Sequence, residues 1–527
     1  MRRSSHLLFH AALAALIIRI PSATAAASTA ATYDLIVIGG GSAGLTAAKF
    51  ASRFGKSVAL IEKERLGGDC TWTGCVPSKA LLASADSATA VRTAESFGVK
   101  ASASASSSSA ASAAVDMSAI KARIRRIIGE IYDADDSPEA LKALGIDSIS
   151  GAATLVDQNS ISVEEAPGVS KPYTASKGIV LATGARPRSP NSMISGIEGV
   201  PYLTYEQIFE LDELPTALTV VGGGPIGCEL AQGFARLGSS VTLVAPSLLP
   251  GHEPEVAADL AAALAEDGVK HVASRAKAVS GSATSHTVSC ADGTSIDGTT
   301  LLVAVGRVPV VEGLGLEGLG VALSGKTGGI LVDDKLRTNI KGVYAAGDCT
   351  GDQQFTHYAG FQGAIAARNI LLPLSDPGVL SSSVPGCVFT EPEVARVGLT
   401  EAHARAAAKD KAGKDVAVAY RRMSKVDRAI TMGKSTHGFI KLIYKPKDGS
   451  ILGATVMGPS AGELISELSV AMAGKVKLPA LASVMHAYPT YGLPLQSPLA
   501  KDVYYESLLG YRGILKWVAR LGIKIPF

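Results

Sequence analysis

Short apolar runs alternate along the chain with glycine turns and helical periods, and the order of these pieces repeats. Tyr33-Asp34-Leu35-Ile36-Val37-Ile38 is a β-branched run. Gly39-Gly40-Gly41-Ser42-Ala43-Gly44 follows it and opens a helical pattern from Leu45 to Phe54. A second apolar strand, Ser57 to Ile61, ends at Glu62. Farther along, Ala217 to Val221 enters Gly222-Gly223-Gly224-Pro225-Ile226-Gly227, and a helical run reaches Leu237 before Gly238 stops it. The strand Val241 to Val244 then ends at Ala245. Strand, glycine turn, helix and strand in this order predict a parallel sheet faced by helices, twice over. Helical patterns also cover Ala80 to Ala94 and Ile120 to Leu144. Between them Ala101 to Ala114 is almost wholly Ser and Ala, carries no core pattern and reads as an exposed insertion. After Pro385 the pattern changes to alternating apolar strands, such as Gly438 to Tyr444 and Ile451 to Met457, ahead of helices.

Composition narrows the class. At 527 residues the chain is too long for one core and divides into about three domains. With 47% hydrophobic residues, 56 glycines and 5% aromatics, small side chains let helices lie close on sheets, which suits α/β layers. A net charge of +3 is close to neutral for this size, so no nucleic-acid partner is expected. Six cysteines cannot form a disulfide scaffold. Cys228, Cys290, Cys349 and Cys387 are scattered without a second C-x2-C or a histidine at ligand spacing, so they read as buried thiols and no metal site is expected.

The N-terminus precedes the fold. Arg2 and Arg3, an apolar run from Leu7 to Ile18 and small residues to Ala26 have the parts of a signal peptide; the acid-free mixture of Arg, Ser and Ala equally suits an organellar transit peptide. Residues 1–30 are therefore expected to be a presequence for the secretory pathway or an organelle, plastid or mitochondrion. The run is too short to span a bilayer, and no later stretch reaches the roughly 20 apolar residues a spanning helix needs.

Both glycine turns read G-x-G-x-x-G in strand–turn–helix context. There the glycines let the backbone approach a pyrophosphate whose charge sits at the helix N-terminus. In the first module Gly39, Gly41, Ser42, Ala43 and Gly44 form that turn, and Glu62, about 20 residues on, is placed to accept hydrogen bonds from a ribose. In the second, Gly222, Gly224 and Gly227 form it, but Ala245 stands where an NADH site would present an acid. No acid repels a 2′-phosphate there and no arginine at 245–252 attracts one, so Ser247 and His252 are the available donors and NADPH is favoured over NADH.

The chemistry is expected in Gly67-Gly68-Asp69-Cys70-Thr71-Trp72-Thr73-Gly74-Cys75-Val76-Pro77-Ser78-Lys79, where two cysteines follow a nucleotide signature and lead into a helix. They read as a redox pair rather than two unrelated thiols. This segment resembles the active-site segment of the class I pyridine nucleotide-disulfide oxidoreductases, a family that includes dihydrolipoyl dehydrogenase, glutathione reductase and mercuric reductase. Gly178 to Pro187, with Thr183 and Gly184, resembles the family's ATG element; Ala304-Val305-Gly306-Arg307 and Thr338 to Asp348 resemble its later FAD motifs.

The resemblance implies an α/β fold with two Rossmann-like dinucleotide-binding domains and an α+β C-terminal dimerisation domain. An FAD domain (31–188 and 312–378, with the insertion 101–114) would hold the NAD(P) domain (189–311) within it, and a homodimer-building domain would cover 383–506. It also implies FAD at the first module, NADPH or NADH at the second, and a flow of electrons from nicotinamide through FAD to a Cys70–Cys75 disulfide. Gly306 and Asp348 would contact FAD, Asp348 at its ribityl chain. Lys79 and Glu229 would pair beside it.

One departure bears on the acceptor. Disulfide-reducing members carry His-Ala-His-Pro-Thr-x-x-Glu, whose second histidine, backed by the glutamate, moves protons at the interchange cysteine across the dimer. Here the stretch reads His486-Ala487-Tyr488-Pro489-Thr490-Tyr491-Gly492-Leu493, so Tyr488 and Leu493 replace that pair. A phenol with a reference pKa near 10 is a poor base at neutral pH. Mercuric reductases resemble this chain in the tyrosine, yet no cysteine follows Cys387 to form their C-terminal pair. The expected function is an FAD-dependent NAD(P)H oxidoreductase of the mercuric reductase-like branch, acting on a small-molecule or ion acceptor, with Cys70, Cys75, Tyr488, His486, Lys79 and Glu229 as the catalytic set. Dihydrolipoyl dehydrogenase or glutathione reductase is the nearest rival, and a redox-sensing flavoprotein without turnover is the rival of another class. Residues 507–527 interleave Leu515, Trp517, Val518, Leu521 and Ile523 with Lys516, Arg520 and Lys524, a pattern that fits either a basic helix at a membrane surface or docking on the dimer.

Overall fold

Leu35 to Ile38 are buried on both sides, as a central parallel strand requires, and they end β1 (Ala31–Ile38) directly at the first glycine turn. The turn delivers the chain into α1 (Ser42–Arg53), which returns it to β2 (Val58–Glu62), parallel to β1 with Leu35 opposite Val58. The computed structural model describes residues 30–100, 114–380, 383–408 and 415–510. Residues 1–29 of the presequence expected over 1–30, 101–113 of the insertion expected over 101–114 and 511–527 of the tail expected over 507–527 lie outside the described residues.

After β2 come α2 (Gly68–Trp72), α3 (Cys75–Thr93) and α4 (Met117–Ile131). The single helix expected from Ile120 to Leu144 is two. A π turn (Tyr132–Asp136) follows α4, and α5 (Pro138–Ala143) starts afresh. Pro138 has no N–H to continue the ladder, and Ser137 caps the new helix through its Oγ, which accepts the Ala140 N–H at 3.2 Å. Strands β3 (Ile146–Ser150), β4 (Ala152–Leu155), β5 (Ser160–Ala166) and β6 (Val169–Leu181) complete the sheet in the order β3-β2-β1-β6-β5-β4. The parallel part is β3-β2-β1-β6, and β4 and β5 form an antiparallel ribbon on the outer half of β6.

A short strand β7 (Ala185–Pro187) leads out to the second module. There β8 (Ala217–Val221), α6 (Pro225–Leu237), β9 (Ser240–Val244), α7 (Pro254–Glu266) and β10 (Val269–Val272) precede an antiparallel three-stranded layer, β11 (Ala276–Gly281), β12 (His286–Cys290) and β13 (Ser295–Gly298). β14 (Thr300–Val303) then closes a parallel sheet of order β10-β9-β8-β14. The chain returns through β15 (Arg307–Pro309), antiparallel to β7, and a one-turn α8 (Leu316–Leu319). It then adds β16 (Val343–Ala345) to the first sheet beside β6. The second module is thus inserted between β7 and β15. α9 (Thr356–Leu371) packs its alanines and glycines on α1, where a β-carbon at Gly363 would run into the Ala43 carbonyl oxygen.

The C-terminal domain is an antiparallel sheet of order β17-β18-β21-β20-β19, formed by β17 (Gly386–Val388), β18 (Glu393–Gly398), β19 (Ala417–Arg422), β20 (Phe439–Tyr444) and β21 (Ile451–Gly458). Helices α10 (Glu401–Ala407), α11 (Asp427–Thr431) and α12 (Ala461–Ala473) accompany it. Val388, Val394, Phe439 and Met457 join the apolar cluster that runs through α3, α4, α6 and β8, so this domain is packed on both nucleotide modules.

Candidate active site

The first glycine turn is shaped by exclusion. Gly39 has φ +109, and a β-carbon there would strike the Ala182 carbonyl oxygen; one at Gly44 would strike the Gly39 carbonyl oxygen. Only the space beyond Gly41 stays open, and Gly68, at φ +60, closes on it so nearly that its own β-carbon would lie 2.7 Å from the Gly41 Cα. The pyrophosphate-type turn and the cysteine segment are therefore built against one another. Ser42 and Ala43 begin α1, and the Ser42 hydroxyl donates to the Thr356 carbonyl at 2.9 Å. Glu62 ends β2 with one oxygen on the Gly40 N–H at 2.6 Å and the other on the Glu64 N–H at 2.7 Å. This leaves further lone pairs for a ribose. An FAD fits this cradle: backbone donors at a helix start, a carboxylate at the end of the second strand, and no room for side chains between.

Cys70 lies within α2 and Cys75 is the first residue of α3, so a single turn at Thr73-Gly74 brings the sulfurs together. They stand as two thiols that hydrogen-bond to one another, and the pair divides its proton unequally. The hydrogen bond from Cys70 first, then Thr356 and the charge of Lys79, push the Cys75 thiol down to about 6, against burial and the charge of Glu229. The same bond to Cys75, together with burial and the charge of Asp136, holds the Cys70 thiol well above its usual range. The Cys75 sulfur also sits at the start of a 19-residue helix and 3.3 Å from the Thr356 Oγ1 at the start of α9, positions that favour a thiolate.

One turn along α3, Lys79 donates from Nζ to Glu229 Oε2 at 2.8 Å and lies over the Phe389 ring at 4.3 Å. Glu229 is 6% exposed on α6, and its other oxygen accepts the Phe389 N–H at 2.9 Å. The expected pair is present, and it joins all three domains.

Several partners escaped the sequence. Arg307 follows Gly306, which has φ +115, and its Nη2 reaches Asp69 Oδ2 at 2.8 Å and Asp348 Oδ2 at 3.2 Å. Tyr205 donates its hydroxyl to the same Asp69 oxygen at 3.0 Å. Burial works against the Arg307 charge, but Tyr205, Asp348 and Asp69 more than offset it; burial raises the Asp348 carboxyl although Arg307 opposes this. Thr183 donates to the Val310 carbonyl at 2.6 Å, and Gly184, at φ +71, accepts the Val310 N–H at 3.0 Å, which ties the strand ends on either side of the inserted module.

The second glycine turn repeats the first: β-carbons at Gly222 and Gly227 would strike the Ala304 and Gly222 carbonyls, and Gly224 faces open space. Ala245 is buried at the end of β9 and Ser247 is exposed. His252 is a weaker donor than the sequence suggested. Burial and then the charge of Arg396 push its pKa down to about 4, so it is neutral at neutral pH.

Tyr488 is 70% exposed, and Met485 at 93%, Val484 and Val470 are exposed as well. His486 is bound elsewhere in the same domain. Its Nε2 pairs with Glu467 Oε1 at 2.8 Å and its Nδ1 faces the Val484 carbonyl at 3.2 Å, so both ring nitrogens are engaged by the protein. The carboxylate partner is on α12, not at position 493.

Comparison with known proteins agrees with this geometry. Residues 33–363 match the family described as pyridine nucleotide-disulphide oxidoreductase, and residues 384–496 match its dimerisation domain. The chain is 34% identical over 474 residues to a dihydrolipoyl dehydrogenase of Chlorobaculum tepidum, covering 88% of this chain and 95% of that one. It is likewise 34% identical over 466 residues to a mercuric reductase of Streptomyces lividans, covering 87% and 94%. Among solved structures it resembles LpdA from Mycobacterium tuberculosis, with a TM-score of 0.78 and 30% identity over 89% of this chain and 99% of that one. It also resembles the Cu(II) complex of the HOCl-induced flavoprotein disulfide reductase RclA from Escherichia coli, with a TM-score of 0.77 and 27% identity over 90% and 99%. The chain belongs to the pyridine nucleotide-disulphide oxidoreductase family. It is an α/β flavoprotein oxidoreductase of the kind that uses FAD and a pyridine nucleotide.

Proposed function

We propose that this protein passes electrons from NAD(P)H through Cys70 and Cys75 to an acceptor other than an ordinary disulfide, in the manner of the mercuric reductase-like branch, and that it works as a homodimer. The observation that carries the reading is the placement of the pair: Cys75 opens α3 with its sulfur 3.3 Å from the Thr356 Oγ1 and one turn before the Lys79–Glu229 pair, and Cys70 stands across a single turn on α2. When bound, FAD supplies the ring that takes hydride from the nicotinamide. Of the two sulfurs, Cys75 would interact with that ring, since the start of α3 and Thr356 favour a thiolate there, and Lys79, held by Glu229, would keep a positive charge near it. Cys70 is the interchange sulfur. As the dithiol is oxidised to the disulfide, two electrons go to the acceptor and the Cys70 proton must leave.

That proton narrows the acceptor. Tyr488 lies on the exposed surface of a dimerisation domain, and neither it nor Leu493 reproduces a histidine–carboxylate pair. His486 has no free nitrogen to replace it. A metal ion accepts two electrons without taking up a proton, whereas the thiolates released from a disulfide substrate, and a quinone on its way to a hydroquinone, must be protonated. NADPH is preferred by a modest factor, since Ala245 presents no acid and a neutral His252 adds little attraction.

A dihydrolipoyl dehydrogenase activity is the second reading, favoured by the relatives that carry that name. Steady-state turnover with lipoamide, glutathione disulfide, Hg(II), Cu(II) and quinones, each with NADPH and NADH, separates the two. Lipoamide as the best acceptor would overturn the proposal.

A further inference from the structure

The loop after β9 is held in place from another domain. Residues 245–252 lie on the second glycine turn: the Leu249 N–H donates to the Gly223 carbonyl at 2.7 Å, and a β-carbon at Gly223 would lie 2.8 Å from that of Ala245. Leu249 is buried with φ +44, a region that costs a branched residue energy, so the loop keeps a shape its own sequence does not prefer. Two side chains of the C-terminal domain impose it. Arg396 on β18 donates Nη1–H to the Gly251 carbonyl at 3.0 Å. Two residues farther on, Glu253, 2% exposed, receives Lys441 Nζ at 2.9 Å and the Glu401 N–H at 2.7 Å.

Lys441 is the unexpected member. Every residue of β20 is buried, and Lys441 is 3% exposed among them. Burial disfavours its charge, but Glu255 at 2.8 Å, Glu401 at 2.9 Å and Glu253 outweigh this and keep it protonated. An apolar residue would suit such a strand at less cost, so the lysine is there for its partners, and two of the three stand at the start of α7, directly after the loop.

We infer that Arg396 and Lys441 are positioning residues for the nicotinamide nucleotide, through which the C-terminal domain fixes the loop that reads the 2′ position of NAD(P)H. The inference rests on the reading of residues 222–227 as the NAD(P) site. A loop ordered in advance spares the nucleotide the entropy of ordering it on binding. It also answers the lack of charge within the loop, since a neutral His252 and Ser247 have no strong hold of their own on the ligand.

The test uses the full-length, FAD-loaded protein with Arg396→Met, and with Lys441→Met combined with Glu253→Gln so that the most deeply buried of the three carboxylates is not left charged without its partner. The measurements are KM for NADPH and NADH, kcat, FAD content, native mass and amide hydrogen exchange over 245–252. KM for both nucleotides should rise about tenfold, the effect of one lost charge-assisted hydrogen bond. Exchange should quicken over 245–252, with kcat, KM for the acceptor, FAD content and mass unchanged; Arg396→Lys should recover part of the affinity. If the combined variant does not fold, Arg396→Met decides alone. Unchanged nucleotide KM in soluble, FAD-loaded Arg396→Met would overturn the proposal, as would a parallel loss of kcat and FAD content, which marks general destabilisation. A flavin in the unmodified protein that neither nucleotide reduces would instead remove the reading of the site, and this inference with it.

Discussion

Replacing Thr356 by valine keeps the shape of the side chain and removes the hydroxyl 3.3 Å from the Cys75 sulfur. The backbone should stay where it is, because the Ser42 hydroxyl holds the Thr356 carbonyl at 2.9 Å and α9 is packed on α1 along its length. A hydrogen bond to a charged group contributes about 1.5–3 kcal/mol. The Thr356 contact is long and stands behind that of Cys70, so the lower end applies, and at about 1.4 kcal/mol per unit this is about one pKa unit. The Cys75 thiol, at about 6 in the unmodified protein, should move to about 7. The sign follows from the charged form: the thiolate is populated above its pKa and lost as pH falls through it, so the variant should lose its thiolate at a higher pH. The assay is a pH titration of the long-wavelength thiolate-to-flavin absorbance of the reduced protein. Thr356→Ser, which retains the hydroxyl, should titrate like the unmodified chain. A valine variant with an unshifted midpoint, or one shifted to lower pH, would refute the role given to this hydroxyl.

Glu229→Gln should move the same midpoint the other way, to lower pH, because the Glu229 charge opposes the Cys75 thiolate while Lys79 favours it; a rise in the midpoint contradicts this. Cys75→Ser should abolish the long-wavelength band and Cys70→Ser should preserve it, and the reverse result would exchange the two roles. Ala245→Glu should shift preference toward NADH, as read by kcat/KM for the two nucleotides, since the new carboxylate at the end of β9 repels a 2′-phosphate and accepts from a ribose hydroxyl. An NADH preference already present in the unmodified protein would refute the modest preference for NADPH.

What the sequence showed plainly was whatever is carried by local spacing. Gly39, Gly44, Gly222 and Gly227 are glycines because a neighbouring carbonyl leaves no space for a β-carbon, and that need is written into six residues at a time. Cys70 and Cys75 likewise meet across one turn. The Lys79–Glu229 pair, 150 residues apart, was reached only through a family pattern. Contacts set by domain packing left no local trace. Nothing beside Asp69 in the sequence marks its carboxylate as the partner of Arg307 and Tyr205. His486 found its acid 19 residues earlier, on a helix, and Thr356 shares no motif with the sulfur it approaches. Lys441, in a strand otherwise apolar on both faces, was the one such residue with a visible signal: a charge where the pattern asks for none. The break at Ser137-Pro138 was also legible, but the apolar periodicity running through it gave the longer helix.

The most direct test of the account is to separate its two half-reactions. Stopped-flow mixing with NADPH measures reduction of the flavin, and turnover with lipoamide and glutathione disulfide measures exchange at Cys70. General acid–base catalysis contributes about 10²–10⁴-fold, so disulfide turnover should trail flavin reduction by a factor of that order. Tyr488→His with Leu493→Glu should recover much of the gap without changing flavin reduction. Disulfide turnover as fast as flavin reduction in the unmodified protein would contradict the claim that its acceptor is not an ordinary disulfide.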